Sequence, residues 1–158
     1  MPRTRGAANQ SLYRARIALS AWDQARDADR HPEAQLTATF LPAVQLHLKQ
    51  AYGWFLLAAS GKESADFSEL PQTTAELAEP DAGKSVPPEL REFSILESEG
   101  WLEEMLVPWE EPDARPAISA PAGLLTSDRA VPGFALAEQW VQRLNAMMDR
   151  MDDSLAEC

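Results

Sequence analysis

The chain has 158 residues, is 45% hydrophobic, and carries 25 Asp and Glu against 14 Lys and Arg, for a formal net charge of −11. That length fits one domain able to bury a core without covalent staples. The single cysteine, Cys158, excludes an intrachain disulfide. A chain this acidic repels phosphate backbones unless positive charge is gathered locally, so nucleic acid is not an expected partner.

The charge is unevenly placed. Residues 1–31 hold six arginines and three aspartates, and the acids dominate thereafter. No apolar run of signal-peptide length follows Arg3 and Arg5, and the apolar stretch 51–59 is too short for a membrane span. The expected setting is therefore the cytoplasm, with no membrane partner. Residues 1–8 precede the first periodic segment and are expected to form a flexible tail.

The first helix is expected over residues 9–30, with Asn9 or Ser11 as cap. Leu12, Ala15, Ala18, Leu19, Trp22 and Ala25 recur at helical spacing, while Arg16, Ser20, Asp23 and Asp27 fall on another side. Pro32 forces a stop, and the short turn there predicts an antiparallel neighbour. The second helix is expected from Glu33 or Leu36 to Ser60. Pro42 implies either a start near Thr39 or a kink. Phe40, Val44, His47, Leu48, Ala51, Trp54, Phe55 and Ala58 share one face, and Gly61 is a natural stop.

Residues 62–86 form a long connection containing Pro71, Pro80 and Gly83, with one short helical turn expected from Thr73 or Thr74, followed by Glu76, through Glu79. The third helix is expected from Pro87–Pro88 to about Val107, with proline in its first turn. Ser94, Ser98, Trp101, Leu102 and Met105 lie together on it, so a neighbour could approach closely at the serines. A second proline-rich connection occupies 108–132, where Trp109, Ile118, Leu124 and Leu125 are expected to pin a strap to the body. The last helix runs from Pro132 or Phe134 to about Leu155. Its stripe of Ala137, Trp140, Val141, Leu144, Met147, Met148, Met151 and Leu155 is the cleanest amphipathic pattern in the chain.

The expected fold is thus all-α: one domain over 1–158, with four principal helices in a bundle and two long proline-rich connections.

Chemistry is sparse. Two histidines and a terminal cysteine lack zinc-ligand spacing, and no Glu-x-x-His occurs, so no metal site is expected. Gly83–Lys84–Ser85 lacks the upstream glycine of a phosphate loop, and no Gly-x-Ser-x-Gly elbow occurs. No cofactor is expected. His47, amid an apolar face, must have its ring nitrogens satisfied or stand in a pocket. Arg26 falls close to the Leu19–Trp22 stripe, with Arg16 and Asp23 two turns apart on one side. His47, Arg16, Asp23 and Arg26 therefore form a candidate pocket for a small anion or for acid–base chemistry. Arg26 to His31 resembles the Arg-x4–6-His signature of HEPN ribonucleases. Here, however, the motif closes the first helix rather than a late one.

A wider resemblance rests on Leu12–Tyr13–x–Ala15–Arg16, Ala21–Trp22, His47–Leu48, Ala51–Tyr52 and Glu99–Gly100–Trp101–Leu102. In this order the chain resembles a family of small helical gammaproteobacterial proteins with no assigned activity. Where that family has Ser-Trp-Leu, this chain has Gly100–Trp101–Leu102. The resemblance implies an intracellular bacterial helical domain and no reaction.

These readings converge on a non-enzymatic helical interaction or regulatory module. The anion-binding or acid–base pocket is the alternative, and a HEPN-like ribonuclease a remote one. Trp109, Trp140, Met147 and Met151 exceed what so small a core needs, and are expected to leave apolar surface for a homodimer or a protein partner.

Overall fold

A computed structural model describes residues 2–110 and 133–156. Helices α1 (Thr4–Ala28), α2 (Glu33–Ala59), α3 (Pro88–Glu99), α4 (Trp101–Leu106) and α5 (Phe134–Ala156) account for most of them. No strand occurs among the described residues; a single bridge pairs Arg3 with Ser64. None of the described helices is long and apolar enough to cross a membrane.

α1 begins earlier than its apolar stripe implies. The expected flexible tail over 1–8 is instead helical from Thr4, and Thr4, Ala7 and Ala8 are buried. The cause lies 58 residues along the chain. Thr4 Oγ1 donates to the Lys62 carbonyl at 2.6 Å, and its N–H donates to Glu63 at 2.9 Å. These bonds satisfy donors and fix a helix start that local sequence leaves open. They also place the start of α1 beside the end of α2, so the two helices are antiparallel.

α2 runs unbroken through Pro42, which lies on its exposed side. It ends in a Schellman arrangement. Gly61 is left-handed at φ 86°, its N–H bonds to Ala58, and the Lys62 N–H bonds to Leu57. Leu41, Val44, Leu48, Ala51, Tyr52 and Phe55 are sealed along one side of α2. This helix is the centre of the molecule and packs against α1, α3, α4 and α5.

α5 runs antiparallel to α1. Phe134 at its start meets Trp22 edge-on at 5.5 Å, and Asp152 near its end pairs with Arg5. Trp140, Met147, Met148 and Met151 are buried in the shared core. The dimer surface expected from Trp140, Met147 and Met151 is therefore intrachain packing. Trp109, which completed that group, is half-buried against the same core.

The third helix differs most from expectation. It is two helices, broken at Gly100, whose backbone is extended (φ −124°, ψ −166°). A Cβ at Gly100 would come within 3.0 Å of the Leu96 Cα, so the break requires glycine for its close approach. The break also rotates the faces. Leu90 and Phe93 point inward on α3, whereas Ser94 and Ser98 are exposed, so none of the described helices packs on the serines. Phe93 stands over Phe55 at 5.4 Å, and Tyr52 hydrogen-bonds Glu97, so α3 runs antiparallel to α2.

The 62–86 connection is tied down at several points. Short 3-10 turns occupy Phe67–Glu69 and Thr74–Glu76, the second where a helical turn is expected. Ala65 and Pro71 are buried. The Pro71 carbonyl lies against α2 where a Cβ on Gly53 would come within 2.7 Å of it, so only glycine admits the strand of chain there. Of the 108–132 strap, Ile118, Leu124 and Leu125 lie outside the described residues.

Candidate functional site

Of the four residues of the candidate pocket, Arg16, Asp23 and Arg26 sit on α1 and His47 on α2. Arg16, exposed on α1, donates through Nη2 to Asn145 Oδ1 on α5. Arg26 lies with its guanidinium carbon 4.3 Å from the centroid of the Phe134 ring, a cation–π contact across to α5. Asp23 is 3.8 Å and Glu33 3.6 Å from the Arg26 head, so its charge is shared by two carboxylates. His47 is half-buried at the border of the sealed stripe of α2. Its Nδ1 is buried and has no hydrogen-bond partner. Asp23 and Arg26 pair with each other. No hydrogen bond or ion pair among the described residues joins either of them to His47 or to Arg16. His31 is exposed in the turn after α1, ahead of Pro32.

Three of the four arginines of α1 form a ladder to α5. Arg5 bonds the Met148 carbonyl at 3.1 Å and pairs with Asp152, Arg16 reaches Asn145, and Arg26 covers Phe134. Spacings of 11 and 10 residues, about three turns each, keep all three on one side of the helix. An arginine joined to a carbonyl, an amide or a ring keeps its long stem packed while its head stays charged. These contacts tie α1 to α5 along its length.

Two polar clusters elsewhere escape a reading of motifs. Gln45 is 5% exposed on α2. Its Nε2 donates to the Met105 carbonyl at 2.8 Å and to that of Val107, and its Oε1 accepts the Trp109 N–H at 3.3 Å. One side chain thus caps the end of α4, whose last carbonyls have no helical partner. The second cluster centres on Glu97 of α3. The Tyr52 hydroxyl donates to it at 2.6 Å, the Thr74 N–H at 2.8 Å and the Thr74 hydroxyl at 2.7 Å. Burial, with the adjacent Glu97 hydrogen bond and charge, pushes the Tyr52 hydroxyl well above its ordinary pKa. Gln45 is at least a polar side chain within the apolar α2, whereas Glu97 is one acid among several on α3 and carries no sequence signal.

α1 also has an outer face. Tyr13 and Ile17, one turn apart and opposite the buried stripe, are 61% and 53% exposed. With Arg16, Ser20, Ala21 and Gln24 they line an open depression of about 400 Å³. Residues 1–22 contain Arg3, Arg5, Arg14 and Arg16 and no Asp or Glu, so all 25 acids lie in the rest of the chain. Arg14 is exposed and makes no ion pair among the described residues.

No protein-family model matches the chain, and neither a curated protein nor a solved structure does. Among the described residues no group of three or more His, Cys, Asp or Glu is placed to hold a metal ion.

Proposed function

We propose that the chain is a non-enzymatic protein-interaction module. In this reading four principal helices form a bundle, with α3 and α4 together as the third, and present the outer face of α1 to a partner. The observation that carries the reading is that face: exposed Tyr13 and Ile17 beside Arg14, in a stretch without acids on a strongly acidic protein. Local positive charge on such a background steers acidic protein surfaces toward α1, and the apolar pair supplies contact area once they arrive. A cytoplasmic bacterial setting belongs to the same proposal. So does the resemblance to the gammaproteobacterial family, which brings no activity with it.

The anion pocket has less support. Arg16 and Arg26, its two cations, are both engaged with α5, and His47 has no link to either.

The test is purification of the intact chain with its natural partner, identification of that partner, and titration of the purified pair by calorimetry. Ile17→Asp should abolish the heat of binding while leaving the melting temperature within a few degrees, since the residue is exposed. Saturable turnover of a defined substrate by the purified chain, lost in His47→Ala, would reject the module reading in favour of the pocket.

A further inference from the structure

We infer that residues 66–86 form a strap over α2 that opens as a unit while the helices stay folded, with the Glu97 carboxylate as its latch. The inference is independent of the outer face of α1. The head of the connection is fixed to the start of α1. Arg3 bridges to Ser64, and the Ala65 N–H bonds to the Pro2 carbonyl at 3.4 Å. Beyond Ala65 the segment bonds mainly to itself. Asp66 and Glu69 close a capping box, Glu69 also holds Lys62 at 2.7 Å, and the Gln72 N–H donates to Glu76 at 2.8 Å. Among the described residues, the hydrogen bonds from 66–86 to a helix are the two that Thr74 donates to Glu97. They run from its N–H at 2.8 Å and from its hydroxyl at 2.7 Å.

Apolar contact adds little to this hold. Within 66–86 only Pro71 is buried; Leu70 and Leu77 are half-buried, and Phe67 is 61% exposed. Residues 78–86 are exposed throughout and turn at Gly83, left-handed at φ 90°, which leaves slack at the α3 end. A segment with few buried apolar groups and few bonds to the body opens at low free energy, ahead of the helices beneath it.

The surface under the strap is apolar. The Pro71 carbonyl fills the slot above Gly53. The Phe67 ring lies 6.5 Å from that of Trp54, which is only 4% exposed. Opening therefore bares an indole and a glycine-floored slot on the central helix, both hidden in the closed form. Glu97 also takes the Tyr52 hydroxyl, so the carboxylate stays in place on α3 when the strap leaves. The latch stands on rigid helices, and the moving part carries only the donors.

Limited chymotrypsin digestion of the intact protein in native buffer tests this, with the products identified by mass spectrometry. A protease cleft admits an extended segment, so the bond after Phe67 is cut in the opened form, at a rate that follows its population. Thr74→Pro removes both donors. Thr73 is already extended (φ −139°, ψ 166°), as the residue before a proline should be, and Thr74 opens a 3-10 turn, where proline fits. This variant should raise cleavage after Phe67 by about tenfold or more. Thr74→Val, which keeps the N–H, should raise it less. Tyr52→Phe leaves both strap bonds and should keep it within about twofold of the wild type. Sites within α1, α2 and α5 should be cut no faster, and circular dichroism should show unchanged helix content. Cleavage after Phe67 that is no faster in the Thr74 variants, or that shares the denaturant dependence of global unfolding, overturns the inference.

Discussion

The core shared by α1, α2 and α5 is built from apolar side chains, with the arginine ladder along the α1–α5 seam. Trp22 stacks near Phe40 at 6.2 Å, and Leu12, Ala15, Val44, Leu144 and Met148 fill the space between the helices. On the opposite flank of α2, the region from Ala65 to Trp109 buries fewer large side chains. It is fastened by specific hydrogen bonds from Gln45, Tyr52 and Thr74, and by one close approach at Gly53. Apolar burial is non-directional and tolerates adjustment, whereas a buried hydrogen bond either has its geometry or leaves a polar group stranded. The two flanks should therefore fail in different ways.

The largest effect is expected on the apolar flank. Trp22→Ala removes a fully buried indole shared by α1, α2 and α5 and should destabilise the whole molecule by about 3–5 kcal/mol. Its Nε1 has no hydrogen-bond partner, so no polar bond adds to that loss. Chemical denaturation should show one transition moved to lower denaturant. A second, separate transition would show that α1 and α5 are not coupled through Trp22.

Gln45→Ala should come next, at about 2–3 kcal/mol, because it strands the Met105 and Val107 carbonyls and the Trp109 N–H. The loss should be local. Hydrogen exchange should accelerate in α4 and at Trp109 while α1 stays protected. Uniform acceleration would mean that the two flanks unfold as one unit.

Gly53→Ala should be smaller still. Alanine improves helix propensity by about 1 kcal/mol. Its Cβ, however, would stand 2.7 Å from the Pro71 carbonyl oxygen, and displacing that chain costs about 1–3 kcal/mol. The net loss, read by thermal melting, should be up to about 2 kcal/mol. A more stable variant would show that the connection moves aside freely.

The apolar flank was the legible one. The stripes of Leu12, Ala15 and Trp22 and of Trp140, Leu144 and Met148 repeat at helical spacing, and periodicity alone assigns them inward. The turn at Pro32, the stop at Gly61 and the start at Pro88 follow from local backbone chemistry. The polar flank was not legible, because its bonds join residues 23 to 64 apart in sequence. Gln45 and Glu97 look like any other polar side chains until the fold brings Met105 and Thr74 to them. The start of α1 at Thr4 was hidden for the same reason. Of the candidate pocket, the sequence placed the residues on their helices. It could not show that Phe134, Asn145 and Glu33 would take up the arginine heads.

The smallest effect at neutral pH is expected from Tyr52→Phe, and its pH dependence separates the two flanks. Removing the hydroxyl loses one bond to Glu97, which keeps both bonds from Thr74, so the cost near pH 7 should be about 1 kcal/mol. The folded protein holds the Tyr52 hydroxyl protonated far above the ordinary tyrosine value of 10.0, chiefly through burial and then through Glu97. Below pH 10 the hydroxyl is protonated whether the chain is folded or unfolded, so its contribution is complete and constant. Above pH 10 the unfolded chain releases the proton and the folded chain does not. Stability then falls by up to about 1.4 kcal/mol for each further pH unit. The phenylalanine variant lacks this term, so its stability curve should cross that of the wild type at alkaline pH. Tyr13 is exposed in both proteins and cancels in the difference. Parallel denaturation curves from pH 9 to about 11.5 are the measurement. A constant difference across that range would show that Tyr52 ionises in place, and that the polar flank opens to water while the apolar flank stays closed.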